Sequence, residues 1–433
     1  MRTQKSRSIS IREFQPIFAD KIVDGVHITR QDIEELKNYI DEQNSKKSDS
    51  QDAVHAFLKP IRNGVQANNY VGVLQTNSGL TIEILPKIYG KNGEGDNRAV
   101  VQQLFLKMLR TVRNINGKTF KMTNLNAKRS NLLEVFISMF LTESDLVIKR
   151  GVKSSYVSVQ SNEKFLKGKM LITQQIRKNS INQSYFYNEF DEFKADSAEN
   201  QLIKTTLELL LRKSKDNNNL RIILEQLEYF EFVSATTAPD QTFQKVQLGR
   251  NHKYYTQVLD WCMIFLSRKS FTSFCGPSLA FAVLFPMEEV FESYIALLVK
   301  QFLQHADVST QERSHSLFDN TAETKQEYRL RPDIVIRYKN TSVTIADTKW
   351  KFLDGNGPSQ ADLYQMYAYY TRYHHKEEEV DRVILIYPYS GSYTEREFRS
   401  LTPTPEEIGA KIQVKYVDLL SSDMQTQILN ILE

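Results

Sequence analysis

The chain reads as an α/β protein in three consecutive parts: a mixed α+β region over residues 1–165, a mainly helical stretch over 166–270, and an α/β core over 271–433. Three observations predict this. From Tyr70 the run VGVLQTNSGLTIEILPKI alternates apolar and polar residues around Asn77-Ser78-Gly79, the pattern of a β-hairpin. Between Ala198 and Ser267 the apolar residues return at helical spacing. After the Gly276-Pro277 break the pattern becomes helix, strand, strand, helix, strand, and the last boundary is placed near Phe271. A chain of 433 residues exceeds what one hydrophobic core usually serves, which supports more than one domain.

Composition narrows the class. Apolar residues make up 41% and charged residues 25%, the balance of a folded globular protein rather than a disordered one. No run approaches the roughly 20 apolar residues a membrane span needs. The basic start MRTQKSRSIS is followed by no apolar segment of a secretory signal, so the cytoplasm is expected and no membrane partner is. Cys262 and Cys275 are too few for a disulfide framework or a four-cysteine metal site, and they read as buried thiols.

The net charge of +4 hides an uneven distribution. Lys107 to Lys178 holds fifteen Lys or Arg against four Asp or Glu, a local charge of +11 that includes Lys164, Lys167 and Lys169. Such a segment either neutralises DNA phosphates by counterion release or is the solvated face of ordinary helices.

Smaller elements follow in order. Asp41 to Asp52 is a polar loop, Pro86 stops the second hairpin strand, and Gly90 to Asn97 is a loop. Val101, Leu104, Met108 and Val112 mark one face of a helix over Val100 to Val112. Helices over Ala198 to Arg212 and Leu220 to Phe232 flank the polar break at Ser214 to Asn219, and another runs from about Tyr255 to Ser267. Asn116-Gly117-Lys118-Thr119 lacks the glycine a phosphate loop requires, since Val112 stands five positions before Gly117. The seven histidines show no zinc-ligand spacing.

The last third carries the chemistry. Phe291, Ile295, Leu298 and Phe302 define a helix over Glu288 to Gln304, with Glu288 and Glu292 on a neighbouring face. Two strands, about Tyr328 to Tyr338 and Ser342 to Trp350, join as a hairpin around Lys339-Asn340, placing Asp333 on the first and Asp347 on the second. Alternation puts Asp347 and Lys349 on one face. Two hard oxygen donors suit Mg²⁺, with Glu292 as a further ligand or contact, and Lys349 could orient an attacking water or steady phosphate charge. A helix over Ser359 to His374 carries Gln365 and Tyr369 one turn apart, either packing on the sheet or facing DNA. Val383 to Tyr387 then reads as a buried parallel strand. Asp-x-Lys alone is weak, since a surface hairpin of paired charges gives the same triplet, and the ordered set carries the weight.

Pro332-Asp333, Asp347-Thr348-Lys349 and Gln365-Met366-Tyr367-Ala368-Tyr369 resemble the PD-(D/E)xK nuclease superfamily and its RecB-like branch. Leu85-Pro86-Lys87-Ile88, Leu166-Lys167-Gly168-Lys169, Tyr187-Asn188-Glu189-Phe190, Asn200 and Phe291-Glu292 with Tyr294 resemble landmarks of the McrC family. The resemblance spans about residues 70 to 390 and leaves the first seventy unassigned. It implies the Mg²⁺-dependent DNA endonuclease subunit of a modification-dependent restriction system, cutting double-stranded DNA that carries modified bases. It also implies a McrB-type AAA+ GTPase hexamer as partner, whose hydrolysis the N-terminal region stimulates by docking in its pore. The catalytic roles carry over to Asp333, Asp347 and Lys349. Two other functions compete: an activating subunit with a vestigial site, disfavoured by the intact triad, and a stand-alone RecB-like nuclease, disfavoured by the long N-terminal region.

Overall fold

A computed structural model describes residues 7–45, 57–89, 97–112, 131–249, 252–266, 279–320, 325–339, 342–353, 357–374, 379–391, 395–400 and 409–432. The chain forms two compact units, one drawn from Met1–Asn116 and Phe274–Glu433, the other from Ser130–Ser273. These units cut across the expected divisions 1–165, 166–270 and 271–433. The expected N-terminal region and α/β core share a unit because strand Leu279–Pro286 hydrogen-bonds antiparallel to strand Tyr70–Thr76, far back in the sequence.

In the first unit, that pairing completes a four-stranded sheet ordered Ser8–Arg12, Thr81–Leu85, Tyr70–Thr76, Leu279–Pro286. The hairpin expected around Asn77-Ser78-Gly79 is present, with Gly79 at φ 87° in the left-handed region that glycine tolerates. Gly72 has a stricter reason to be glycine. Its φ is 146°, and a Cβ there would run into the Val283 carbonyl. Helix Arg30–Ser45 closes the core over this sheet, burying Leu36 and Tyr39 with Ile9, Leu74, Ile82 and Leu284.

The same unit holds a six-stranded sheet. Its order is Asp307–Thr310, Ile334–Arg337, Ser342–Thr348, Glu379–Pro388, Lys411–Val417, Arg396–Arg399. Strands Ser342–Thr348, Glu379–Pro388 and Lys411–Val417 are parallel. Helix Gln360–Tyr373 makes the crossover between the first two and buries Met366, Tyr369 and Tyr373 against Val343, Ile345, Val383 and Leu385. Ser359 starts it with a capping box, Ser359 and Asp362 satisfying each other's backbone N–H groups. Helix Met287–Phe302 packs on strands Ser342–Thr348 and Asp307–Thr310.

One expected strand is shorter than the sequence suggests. Tyr328 to Tyr338 breaks into Lys325–Arg329, which pairs with Ser316–Asn320, and Ile334–Arg337, which joins the large sheet. Pro332 has no N–H to give a ladder, and the chain bends at Asp333, which enters the sheet from there. The pairing of Ile334–Arg337 with Ser342–Thr348 is the expected hairpin; its turn residues 340–341 lie outside the described residues.

The second unit contains helices Leu132–Arg150, Ala198–Lys213, Asn217–Glu228, Pro239–Gln244 and Tyr255–Leu266. Asp216 caps the helix after the expected polar break by accepting from Asn218 and Asn219. The unit also contains a three-stranded antiparallel sheet ordered Lys169–Met170, Phe186–Lys194, Ser155–Glu163. Helical periodicity dominates the neighbouring sequence and concealed these strands. Cys262 is buried, as expected of a structural thiol, and Cys275 lies outside the described residues.

Candidate active site

The register that pairs Ile334 with Ala346 brings Asp333 and Asp347 to the same end of the large sheet. They line a cavity of about 300 Å³ together with Glu288, Glu292, Arg331, Lys349 and Gln365. Asp347 is only 1% exposed and forms an ion pair of 2.5 Å with Lys349 Nζ. Lys349 Nζ also donates to Gln365 Oε1 at 2.9 Å, and Gln365 Nε2 donates to the Tyr369 hydroxyl at 2.7 Å. The hydroxyl in turn donates to the Arg331 carbonyl at 3.2 Å. Gln365 and Tyr369 therefore hold the lysine from the helix. Of the two alternatives open from sequence, Tyr369 takes packing, at 2% exposure.

Asp333 is held from the other strand. Its Oδ2 accepts from the Thr348 amide at 2.7 Å and the Thr348 hydroxyl at 2.8 Å, while Oδ1 accepts from Gln311 Nε2 at 3.2 Å. Gln311 Nε2 donates to Glu292 Oε1 as well, so one amide bridges two carboxylates. Sequence reasoning missed Gln311. It lies twenty-two positions before Asp333 with no motif to mark it, although φ 55° and its backbone bond to the Asp333 carbonyl fix it there.

Electrostatics follow from this crowding. Burial, then the charge of Asp333, push Asp347 up to about 7 against the pull of Lys349. Burial, then Asp333, push Glu292 up to about 7 as well. Burial raises Asp333, opposed by its bonds from Thr348. Lys349 loses from burial but gains more from Asp347 and Asp333, so its ammonium is held above the usual lysine range.

Three crowded acids with raised pKa values make a site that gains from a cation. Among the described residues, no group of three or more His, Cys, Asp and Glu side chains is arranged to hold a metal ion. Mg²⁺, however, is commonly bound through one or two carboxylates and several waters, which Asp333 and Asp347 match. The buried Gln311 Oε1 has no hydrogen-bond partner, a further oxygen suited to such an ion or its waters. Glu292, bonded to Gln311, also lines the cavity. Lys164, Lys167 and Lys169 belong to the second unit, exposed on its small sheet or the turn that joins its strands.

Fold and site together define an α/β protein with an acidic, lysine-bearing pocket at one end of a mixed sheet. Residues 65–388 match the family described as McrBC 5-methylcytosine restriction system component, and the chain belongs to that family. The family resemblance read from the sequence is thereby borne out. A relative from Escherichia coli K12, the type IV methyl-directed restriction enzyme EcoKMcrBC, is 24% identical over 286 residues, covering 62% of this chain and 80% of that protein. The fold is similar to a chain of the Thermococcus gammatolerans McrB AAA+ hexamers with bound McrC, with TM-score 0.68 and 20% identity over 98% of this chain and 99% of that one. A second Thermococcus gammatolerans McrBC complex gives TM-score 0.51 and 21% identity over 68% and 88% of the two chains. No helix among the described residues is long and apolar enough to cross a membrane.

Proposed function

We propose that this chain is the Mg²⁺-dependent endodeoxyribonuclease subunit of a modification-dependent restriction system, with a PD-(D/E)xK-type core and a McrB-type AAA+ GTPase as partner. The observation that carries this reading is the Asp347–Lys349 ion pair of 2.5 Å beside Asp333, at the wall of a cavity of about 300 Å³. When bound, a divalent cation would polarise the scissile phosphate and lower the pKa of an attacking water. Asp333 and Asp347 would hold it, each fixed in advance by Thr348 and Lys349. The Lys349 ammonium, aimed by Gln365, is placed to stabilise charge growing on the phosphate. Gln311 would keep Glu292 and Asp333 apart at the cavity wall.

Partner docking is supported by the small sheet of the second unit. Phe193 on that sheet, Phe165 and Leu166 in the turn between its strands, and Ile172, Ile176 and Ile181 on or just after helix Ile172–Asn179 are all at least 60% exposed, an apolar display that suits a protein partner. The McrC of the Thermococcus assembly is bound to McrB hexamers, which supports a protein partner of that kind. Double-stranded DNA carrying modified bases is the substrate this reading assigns.

Asp333→Ala and Asp347→Ala are expected to abolish Mg²⁺-dependent cleavage in the presence of the partner, while leaving its GTP hydrolysis stimulated as by wild type. Cleavage by either purified variant at near wild-type rate would remove the nuclease assignment.

A further inference from the structure

The first seventy residues, silent in the sequence, reach the cavity wall through Glu13. Glu13 follows strand Ser8–Arg12 and is 2% exposed. Its two carboxyl oxygens lie 3.1 and 3.2 Å from the indole nitrogen of Trp350, the residue directly after Lys349. Oε2 also accepts from the Lys87 amide at 3.0 Å, and the Glu13 amide donates to the Leu85 carbonyl at 3.0 Å. One buried carboxyl thus joins Leu85-Pro86-Lys87 to the end of the strand that carries Asp347. Burial pushes its pKa up to about 8, against the bonds from the Lys87 amide and the Trp350 indole. Such burial is costly, and an apolar residue would pack there without the penalty.

Trp350 spreads this anchorage to both walls of the cavity. Its ring packs on Phe291, next to Glu292, with centroids 5.3 Å apart, and on Phe352 at 5.6 Å. Phe352 packs on Tyr89 at 5.3 Å, and the Lys87 ammonium lies 5.4 Å from the Tyr89 ring and 5.8 Å from that of Phe352. A second tie runs beside the first: Asn69 Nδ2 donates to Glu288 Oε1 at 3.0 Å, and the Asn69 carbonyl accepts from the Met287 amide at 3.0 Å. The helix bearing Glu292 and the strand end bearing Lys349 therefore rest on one aromatic plate anchored by the N-terminal segment.

We infer that Glu13 is a positioning residue for DNA cleavage, acting through the Trp350 indole to hold Lys349 and the Glu292 helix in their working places. The N-terminal segment is then a structural part of the cleavage centre. The inference rests on the nuclease reading above.

The test uses the full-length chain with its partner GTPase and a double-mutant cycle. Glu13→Ala removes the acceptor, Glu13→Gln keeps an oxygen for the indole and the Lys87 amide, and Trp350→Phe keeps a ring without the N–H. Single-turnover cleavage should slow about tenfold in Glu13→Ala and in Trp350→Phe, the range seen when a group supporting a metal site is lost. The double variant should be no slower than the worse single one, Glu13→Gln should recover most of the rate, and GTPase stimulation should not change. The chain has two tryptophans, so in a Trp261→Phe background emission reports Trp350 alone. It should shift with Glu13→Ala and stay with Glu13→Gln. Wild-type cleavage by Glu13→Ala, losses that multiply in the double variant, or an equal loss of GTPase stimulation would each overturn the inference. If the wild-type protein itself cleaves nothing, the nuclease reading fails instead; Trp350 emission then decides the positioning tie, and no shift in Glu13→Ala overturns it.

Discussion

Asp347 and Glu292 are both pushed up to about 7 in the folded chain, chiefly by burial, whereas in an unfolded chain they titrate near 4. The folded state therefore binds protons that the unfolded state releases between about pH 4 and 7. Stability drawn from these groups is full below that window and is lost as pH rises through it. A divalent cation needs the deprotonated carboxylates, so it should restore what the higher pH removes. In a thermal melt, Mg²⁺ against EDTA should raise Tm clearly at pH 8 and little at pH 5. An equal shift at both pH values, or none at pH 8, would argue against an ion at Asp333 and Asp347.

The turn between two strands of the small sheet in the second unit offers two chemistries side by side. Phe165 and Leu166, both 60% exposed, lie between the exposed Lys164 and Lys167, with exposed Lys169 two positions further on. Part of that cationic character is engaged locally, since Lys167 Nζ sits 3.8 Å from the centre of the Phe190 ring. Phe165→Asp with Ile172→Asp should cut stimulation of the partner's GTPase severalfold, because buried apolar anchors dominate protein interfaces. Changing Lys164, Lys167 and Lys169 together to Glu separates the alternatives. A flatter dependence of DNA affinity on salt would assign these lysines to phosphates, and an unchanged slope with weakened partner binding would assign them to the protein face.

The whole molecule is threaded so that its α/β core is not a detachable C-terminal piece. Strand Leu279–Pro286 has its sheet partner in Tyr70–Thr76, and Trp350 has its hydrogen-bond partner in Glu13. A fragment beginning at Phe271 would leave that strand without its sheet partner and the Trp350 N–H without an acceptor. We expect residues 271–433 alone to lack a cooperative thermal transition, and a fragment set supplying residues 7–89 to recover it. A sharp two-state melt from residues 271–433 by themselves would show that the core is autonomous after all.

Local order was legible in the sequence because it depends on neighbours. Periodicity placed the hairpin at Asn77-Ser78-Gly79, the helices beginning at Met287 and Gln360, and the buried strand at Val383, while alternation put Asp347 beside Lys349. The order of Asp333, Asp347, Lys349 and Gln365 then named four of the residues that line the pocket. Tertiary structure decided the rest. Nothing local marks Gln311 as the bridge between Glu292 and Asp333, or Glu13 as the acceptor for an indole 337 residues away. The unit boundary hid for the same reason, because a strand's hydrogen-bonding partner is set by the closed sheet and not by its own residues. Side-chain pattern fixes which face of an element is apolar, and only the packed chain fixes which distant backbone and polar groups meet across it.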